Sequence, residues 1–256
     1  MDILTSPIAT ALENHLGHPI KLEHLQILHR GRFANAIVFR YRDKHHDLVI
    51  KDYSHCRWTL RQTIGRLFIR REQKNLDRLH HLSGVVPTCH RLTPVMLAYP
   101  FVEGASIKAL NTQGQRLPAD FFHAMEQGIQ EMHQRDVVHL DLRNLGNVLC
   151  RSDGAPHFID FQSAISLRWV PRRLHAFLKA SDRSAVYKAW DLLCDEPLPD
   201  AQRVWLNDFN RLRKRWILRG YPLTGVTTRI KTAFRTEPSA EHYQQSDRLP
   251  PATRQG

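Results

Sequence analysis

The chain has 256 residues, of which 42% are hydrophobic, and it carries a formal net charge of +12. This size and composition predict an enzyme-sized folded unit with a substantial core, without repeats or low-complexity blocks. No apolar run approaches the roughly twenty residues of a membrane span, and four scattered cysteines favour a reducing cytosol and argue against structural zinc.

The first predicted element is an amphipathic helix near the N-terminus. Ser6 and Pro7 are typical of a cap and a first helical residue, and Gly17 is typical of a stop. Ile8 and Leu12 recur on one helical face. The segment lacks a basic leader and a continuous apolar core, so it is predicted to be a helix rather than a signal peptide.

Two strands and a long helix are predicted next. The run LVIK at 48–51 is a strand in which alternation places Val49 and Lys51 on one face. Residues 59–82 are predicted as a helix that carries Glu72, and residues 95–99 as an apolar strand. The apolar positions at helical spacing in 59–82 are Ile64, Leu67, Phe68, Leu76 and Leu79.

The most informative stretch is 137–163, where two short apolar runs flank a turn and predict a β-hairpin. Asp141 and Asn147 precede the hairpin and Asp160 follows it, so the hairpin brings them together. An aspartate at the end of an apolar run is costly unless it has a partner, which favours a metal ligand at Asp160. Carboxylate and amide oxygens suit Mg²⁺, and a further carboxylate can orient an attacking hydroxyl. These residues therefore favour phosphoryl transfer.

The motif HLDLRNLGN followed by IDF resembles the catalytic and metal-binding motifs of the protein-kinase-like superfamily, H-x-D-x-x-x-x-N and D-F-G. Two positions depart from the pattern: Asn147 comes one residue late, and Gln162 replaces the final glycine. The variant looks most like bacterial lipopolysaccharide core-sugar (Kdo/heptose) kinases and RIO-like kinases. The resemblance covers roughly residues 25–165.

This resemblance implies an α+β, bilobal protein-kinase-like fold. The small antiparallel-sheet N-lobe would span 1–102, the mostly helical C-lobe 103–235, and a disordered tail 236–256. Residues 101–104 would form the hinge between the lobes.

The resemblance also implies roles for individual residues, with ATP and Mg²⁺ as cofactors. Asp141 would be the catalytic base, Arg143 would contact phosphate, and Asn147 and Asp160 would bind the metal. Lys51 would bind the α- and β-phosphates with Glu72 as its partner. The residues expected to bind the nucleotide are Gly31, Val38, Val49, Lys51, Glu72, Phe101 and Glu103.

Several of these positions have an ordinary structural alternative. Lys51 could be an edge-strand lysine that discourages aggregation. Glu72 lies among basic residues and could form a surface salt bridge, and Arg143 could be a surface loop arginine. Asn144 competes with Asn147 for the metal. The sixteen histidines form no recognisable metal motif and are expected at surface or core positions.

Three basic segments suggest partners beyond ATP. In 57–78 and 168–179, arginines alternate with aromatic and aliphatic residues, which suits an anionic membrane surface, although a basic helix packed on the core is the alternative. The third, at 211–219, makes nucleic acid a minority alternative.

The expected function is Mg²⁺-ATP-dependent phosphorylation of a hydroxyl on a lipopolysaccharide core sugar or related glycolipid. The location would be cytoplasmic, at the inner face of the membrane. A RIO-like serine/threonine protein kinase and an ATP-binding pseudokinase scaffold are the alternatives.

Overall fold

A computed structural model describes residues 6–30 and 36–215. Its N-terminal half is built on a five-stranded antiparallel sheet in the order β1-β2-β3-β5-β4. Its elements are α1 (Ser6–Leu16), β1 (Leu25–His29), β2 (Ile37–Arg42), β3 (Asp47–Asp52), α2 (Trp58–Leu60), α3 (Arg66–Leu79), β4 (His90–Thr93) and β5 (Met96–Pro100).

Helix α1 covers one face of this sheet. Its Ile8 and Leu12 are fully buried against Phe39 of β2 and Ile50 of β3. Since side chains alternate along a strand, Val49 and Lys51 project from the opposite face of β3. The predicted N-terminal helix and the predicted alternation of side chains along residues 48–51 are therefore both present.

The helix predicted at 59–82 runs from residue 58 to residue 79 and contains a π-helical turn at Arg61–Gly65 between α2 and α3. The π-helical turn contains one residue more than an α-helical turn, so the helical face that meets the core is shifted after it. Of the apolar positions at helical spacing, Phe68 and Leu76 are buried, whereas Leu67 is 51% exposed. Ile69 is fully buried on the shifted face.

The C-terminal part that the structure describes, residues 101–215, is mostly helical, with two small sheets in the orders β6-β8-β9 and β10-β7. Its elements are β6 (Ala105–Ser106), α4 (Ile107–Thr112), α5 (Ala119–Gln134), β7 (Val137–Val138), β8 (Val148–Cys150), β9 (Pro156–Phe158), β10 (Ile165–Ser166), α6 (Arg172–Leu193) and α7 (Asp200–Arg215). This arrangement confirms the predicted α+β, bilobal kinase-like fold.

The hairpin of β8 and β9 brings the segments before and after it together, as predicted. Its strands pair from Val148 with Phe158 onward, and the backbone N–H of Ile159 donates to the carbonyl of Asn147 at 3.0 Å. This bond places Asp160 directly beside the end of the loop that carries Asp141.

Several expectations concern residues outside the described ranges. Gly31, the tail at 236–256, and Trp216 and Arg219 of the third basic segment lie there. The lobe boundary at residues 102 and 103 stays a prediction. Within residues 6–30 and 36–215, every helix is too short or too polar to cross a membrane.

Candidate active site

A cavity of about 900 Å³ lies between the sheet and the β8–β9 hairpin. The sheet contributes an apolar wall, and the hairpin contributes polar groups at its two ends. Of the residues predicted from the sequence, those that line the cavity are Val38, Val49, Lys51, Phe101, Asn147 and Asp160. Mixed apolar and polar walls of this kind are typical of ligand sites.

Lys51 is the centre of an ion cluster at the inner end of the cavity. Its Nζ lies 2.6 Å from Oε1 of Glu72 on α3 and 2.8 Å from Oδ1 of Asp160. Lys51 is 5% exposed and Glu72 is 1% exposed. The surface salt bridge considered for Glu72 is therefore wrong, and so is the edge-strand alternative for Lys51, because β3 lies between β2 and β5.

Burial and pairing compete in setting the charges of this cluster. Burial alone would lower the pKa of Lys51, but Asp160 and Glu72 raise it well above its usual value. Burial would raise the pKa of Asp160, but Lys51 holds it below the usual value. Burial also raises the pKa of Glu72, which Lys51 only partly offsets. The ammonium and the Asp160 carboxylate thus stay charged at neutral pH.

The loop before the hairpin aligns Asp141 with Asn147. The side-chain amide of Asn147 donates to Oδ2 of Asp141 at 3.0 Å and to its backbone carbonyl at 3.1 Å. Asn144 also lines the cavity, and its amide donates to Oδ1 of Asn147 at 3.3 Å. Both amides considered for the metal are therefore present at one wall.

The same loop is held from beneath by α6. The Asp182 carboxylate accepts from the backbone N–H groups of His139 at 2.8 Å and Leu140 at 2.7 Å. Leu140 has a φ of +66°, which a branched side chain seldom adopts. The His139 ring is fully buried and donates from Nε2 to the carbonyl of Ile159 at 3.0 Å. Asp182 and His139 thus fix the loop to the helix below and to the hairpin beside it.

Gln162, which replaces the usual glycine, connects the segment after Asp160 to the N-lobe. Its Oε1 accepts from the Tyr53 hydroxyl at 2.9 Å, and its carbonyl accepts from the Arg71 guanidinium. Two residues later, the carbonyl of Ala164 accepts from the buried amide of Asn75 at 2.8 Å. Helix α3 therefore positions both Glu72 and the segment that follows Asp160.

Four predicted site residues are not among those that line the cavity: Glu72 and Asp141, whose contacts are given above, and Arg143 and Glu103. Arg143 donates to Oγ of Ser184 on α6 at 2.8 Å, and its carbonyl accepts from Lys188. It is therefore a partly buried loop arginine, and its phosphate contact stays a prediction. Glu103 is exposed and is not among the residues that line the cavity, so its nucleotide contact also stays a prediction.

Sequence reasoning missed three residues that support the site: Tyr53, Asn75 and Asp182. Asn75 and Asp182 are polar residues in helices, at positions that the helix period assigns to the buried face. A buried polar side chain needs a partner, so these two positions carried a signal that was not used. Tyr53 carried no comparable signal.

Comparison with known proteins agrees with this geometry. A probable serine/threonine-protein kinase of Dictyostelium discoideum is 25% identical over 157 residues, which cover 57% of this chain and 22% of that protein. The chain thus spans less than a quarter of that relative's length. The model of the RIO domain matches residues 29–179, which contain both the ion cluster and the hairpin. Because this match covers more than half of the sequence, the chain belongs to the RIO domain family of the protein-kinase-like superfamily.

Proposed function

We propose that this protein transfers the γ-phosphoryl group of Mg²⁺-ATP to a hydroxyl group. The observation that carries the proposal is the contact of Lys51 with both Glu72 and Asp160 at the inner end of a nucleotide-sized cavity. Phosphoryl transfer depends on positioning and on neutralising phosphate charge, which such a cluster supplies. The family and the name of the Dictyostelium relative support the same reaction class.

The donor set fits a magnesium ion. Two carboxyl groups, those of Glu72 and Asp160, share one buried ammonium. Asp160 keeps a side chain that is 30% exposed towards the cavity, and Asn147 and Asn144 offer amide oxygens at the same wall. Asp160 and Asn147 would hold the ion, with Asn144 as the alternative amide. When bound, magnesium neutralises developing phosphate charge.

Asp141 would accept the proton of the attacking hydroxyl. Its Oδ2 is held by the amide of Asn147, and its backbone N–H donates to Nδ1 of His139 at 3.3 Å. The Asn147 contact fixes the direction of the carboxylate. Lys51 would bind the α- and β-phosphates, and Val38, Val49 and Phe101 would contact the base and ribose. Glu72 would keep the Lys51 ammonium in place.

For the acceptor, we propose a glycolipid hydroxyl, such as that of a lipopolysaccharide core sugar, presented at an anionic lipid surface. Large apolar side chains protrude beside arginines on two segments, one that leads into α3 and one that follows Asp160 in sequence. Trp58 is 67% exposed, Leu67 51% and Trp169 86%, and Arg57, Arg66 and Arg168 are exposed near them in sequence. Aromatic and basic groups together suit a headgroup region. A serine or threonine of a protein is the second candidate, supported by the name of the relative.

The test is a transfer assay with γ-labelled ATP that offers anionic vesicles with lipopolysaccharide core glycolipid, a protein mixture and RNA in parallel. We expect Mg²⁺-dependent label on the glycolipid. Asp141→Asn should lower transfer at least about 100-fold, as expected for loss of a general base, while ATP binding stays within about twofold.

Three outcomes would contradict parts of this proposal. Label on protein alone would select the second candidate. ATP binding without transfer to any acceptor would indicate a pseudokinase scaffold. Full transfer by Asp141→Asn would refute the role given to Asp141. Asp136→Asn is a suitable control, because Asp136 lies in the preceding turn and pairs with Arg168 at the surface.

A further inference from the structure

Three potential metal ligands from two separate segments meet at the edge of the N-lobe. His18 lies just after α1, and Asp43 and His46 lie in the turn between β2 and β3. One ligand atom from each residue lies within 4.8 Å of the other two. Nδ1 of His46 is 3.2 Å from Oδ1 of Asp43. In the ion-free protein this contact is a hydrogen bond from Nδ1 to the carboxylate. Its length is close to the separation of about 3.4 Å between two ligands of a tetrahedral ion with bonds of about 2.1 Å, so a bound ion would replace the hydrogen on Nδ1.

The Asp43 carboxylate is already held in one orientation. Its Oδ1 accepts from the backbone N–H groups of His45 at 2.8 Å and His46 at 2.6 Å, and its Oδ2 accepts from the Tyr41 hydroxyl at 2.7 Å. The Tyr41 hydrogen bond, with the backbone bonds, keeps the pKa of Asp43 well below its usual range. The carboxylate is therefore oriented before any ion binds.

The contact that the His18 ring makes with the backbone defines its tautomer. Its Nδ1 lies 3.0 Å from the carbonyl of Pro19, which can only accept, so Nδ1 carries the hydrogen. The lone pair of the neutral ring is then on Nε2. Histidines that bind metals commonly donate their second nitrogen to a backbone carbonyl in this way.

More imidazoles surround the cluster. The rings of His45 and His46 are 6.3 Å apart, and those of His15 and His90 are 4.7 Å apart. Burial, followed by the charges of His90 and His46, lowers the pKa of His15.

We propose that His18, Asp43 and His46 bind one divalent transition-metal ion of the Zn²⁺ class. Two imidazoles and a carboxylate favour such an ion over Mg²⁺, which prefers oxygen ligands and is assigned to Asp160 and Asn147. The ion would tie the segment after α1 to the β2–β3 turn. Because β3 also carries Lys51, the site would stabilise the strand that holds the nucleotide lysine.

The test is calorimetric titration of the metal-stripped full-length chain with ZnCl₂, without nucleotide. We expect one saturable site in the wild type that excess Mg²⁺ does not block. His18→Ala, His46→Ala and Asp43→Asn should each weaken Zn²⁺ binding by at least about tenfold. Asn at position 43 keeps an oxygen for the backbone N–H groups, so the turn should persist. His81→Ala, which removes an exposed histidine elsewhere, should bind as the wild type.

Thermal unfolding gives a second readout that does not depend on catalysis. Zn²⁺ should raise the Tm of the wild type and of His81→Ala, and should not raise the Tm of the three site variants. Added Co²⁺ should give the intense visible absorption of a tetrahedral site in the wild type and in His81→Ala, but not in the three site variants. Unchanged Zn²⁺ affinity in all three site variants, or non-saturating binding by the wild type, would overturn the proposal.

Discussion

At the scale of single residues, the charge of the Lys51 cluster links stability to nucleotide binding. The ammonium is buried and pairs with carboxylates from two distant parts of the chain, 21 and 109 residues away. Removing one member of a buried ion pair leaves the others desolvated and unpaired, which costs several kcal/mol. The same ammonium is the cation closest to the phosphates in the proposed complex, so one substitution should affect both properties.

We expect Lys51→Ala to weaken ATP binding by at least about tenfold, which corresponds to about 1.4 kcal/mol. It should also lower the free energy of unfolding by about 3 kcal/mol, because Glu72 and Asp160 lose their shared partner. Calorimetry with Mg²⁺-ATP and urea denaturation measure the two effects.

Lys44→Ala is the matched control for this prediction, because Lys44 is exposed in the β2–β3 turn. It should leave both quantities unchanged. In the double variant Lys51→Ala/Glu72→Gln, the loss of stability should be smaller than the sum of the single losses, because the unpaired carboxylate is gone. ATP affinity that is unchanged in Lys51→Ala would contradict the assignment of the phosphate site.

At the scale of elements, helix α6 supports the loop that carries Asp141. Leu140 adopts a left-handed backbone conformation, which costs about 1–3 kcal/mol and persists only where surrounding contacts impose it. Those contacts are the two backbone N–H bonds to Asp182, which is 1% exposed. The conformation of the loop at Leu140 therefore depends on its contacts with α6.

We expect Asp182→Asn to lower kcat at least about tenfold while the KM for ATP changes little. An amide offers one acceptor oxygen in place of two, so one backbone N–H loses its partner, which costs about 1.5–3 kcal/mol. Steady-state kinetics and urea denaturation measure these changes. Asp191→Asn, on the same helix but in a half-exposed pair with Arg203, should change little. Equal kinetics for both variants would show that the loop does not depend on Asp182.

A site residue could be predicted from the sequence where a local pattern places it, and could not where its contact joins distant elements. Lys51 was predictable because alternation places it on one face of its strand, and Asp160 because a short hairpin fixes its neighbours. Glu72 was predicted from the family resemblance. The contact of Asp182 with the loop joins residues about forty positions apart on separate elements, and no local pattern encodes it. The proximity of His18 to His46 was not predictable for the same reason, because no local sequence pattern marks either histidine.

At the scale of the whole molecule, a buried histidine should make folding sensitive to acid. His157, on β9, is 3% exposed, and neither ring nitrogen has a hydrogen-bond partner among the described residues. Burial, with a smaller contribution from Arg151, lowers its pKa from 6.5 to about 4. Because β9 belongs to the sheet beneath the cavity, protonating this ring would oppose the folded state as a whole.

Since the folded pKa of His157 is below the unfolded one, the unfolded chain gains a proton that the folded chain does not gain between pH 6.5 and 4. The free energy of unfolding should therefore fall by about 2–3 kcal/mol between pH 7.5 and pH 4.5 through this residue. His157→Leu should abolish that part of the loss, and at pH 7.5 it should be at least as stable as the wild type, because two unpartnered nitrogens are removed.

Urea denaturation at both pH values measures the effect, and the exposed His123→Leu is the control. The raised pKa of Glu72 acts in the opposite direction in this range, but it is common to all three proteins and cancels in their differences. If wild type and His157→Leu lose equal stability towards pH 4.5, then the buried ring is not the acid-sensitive group.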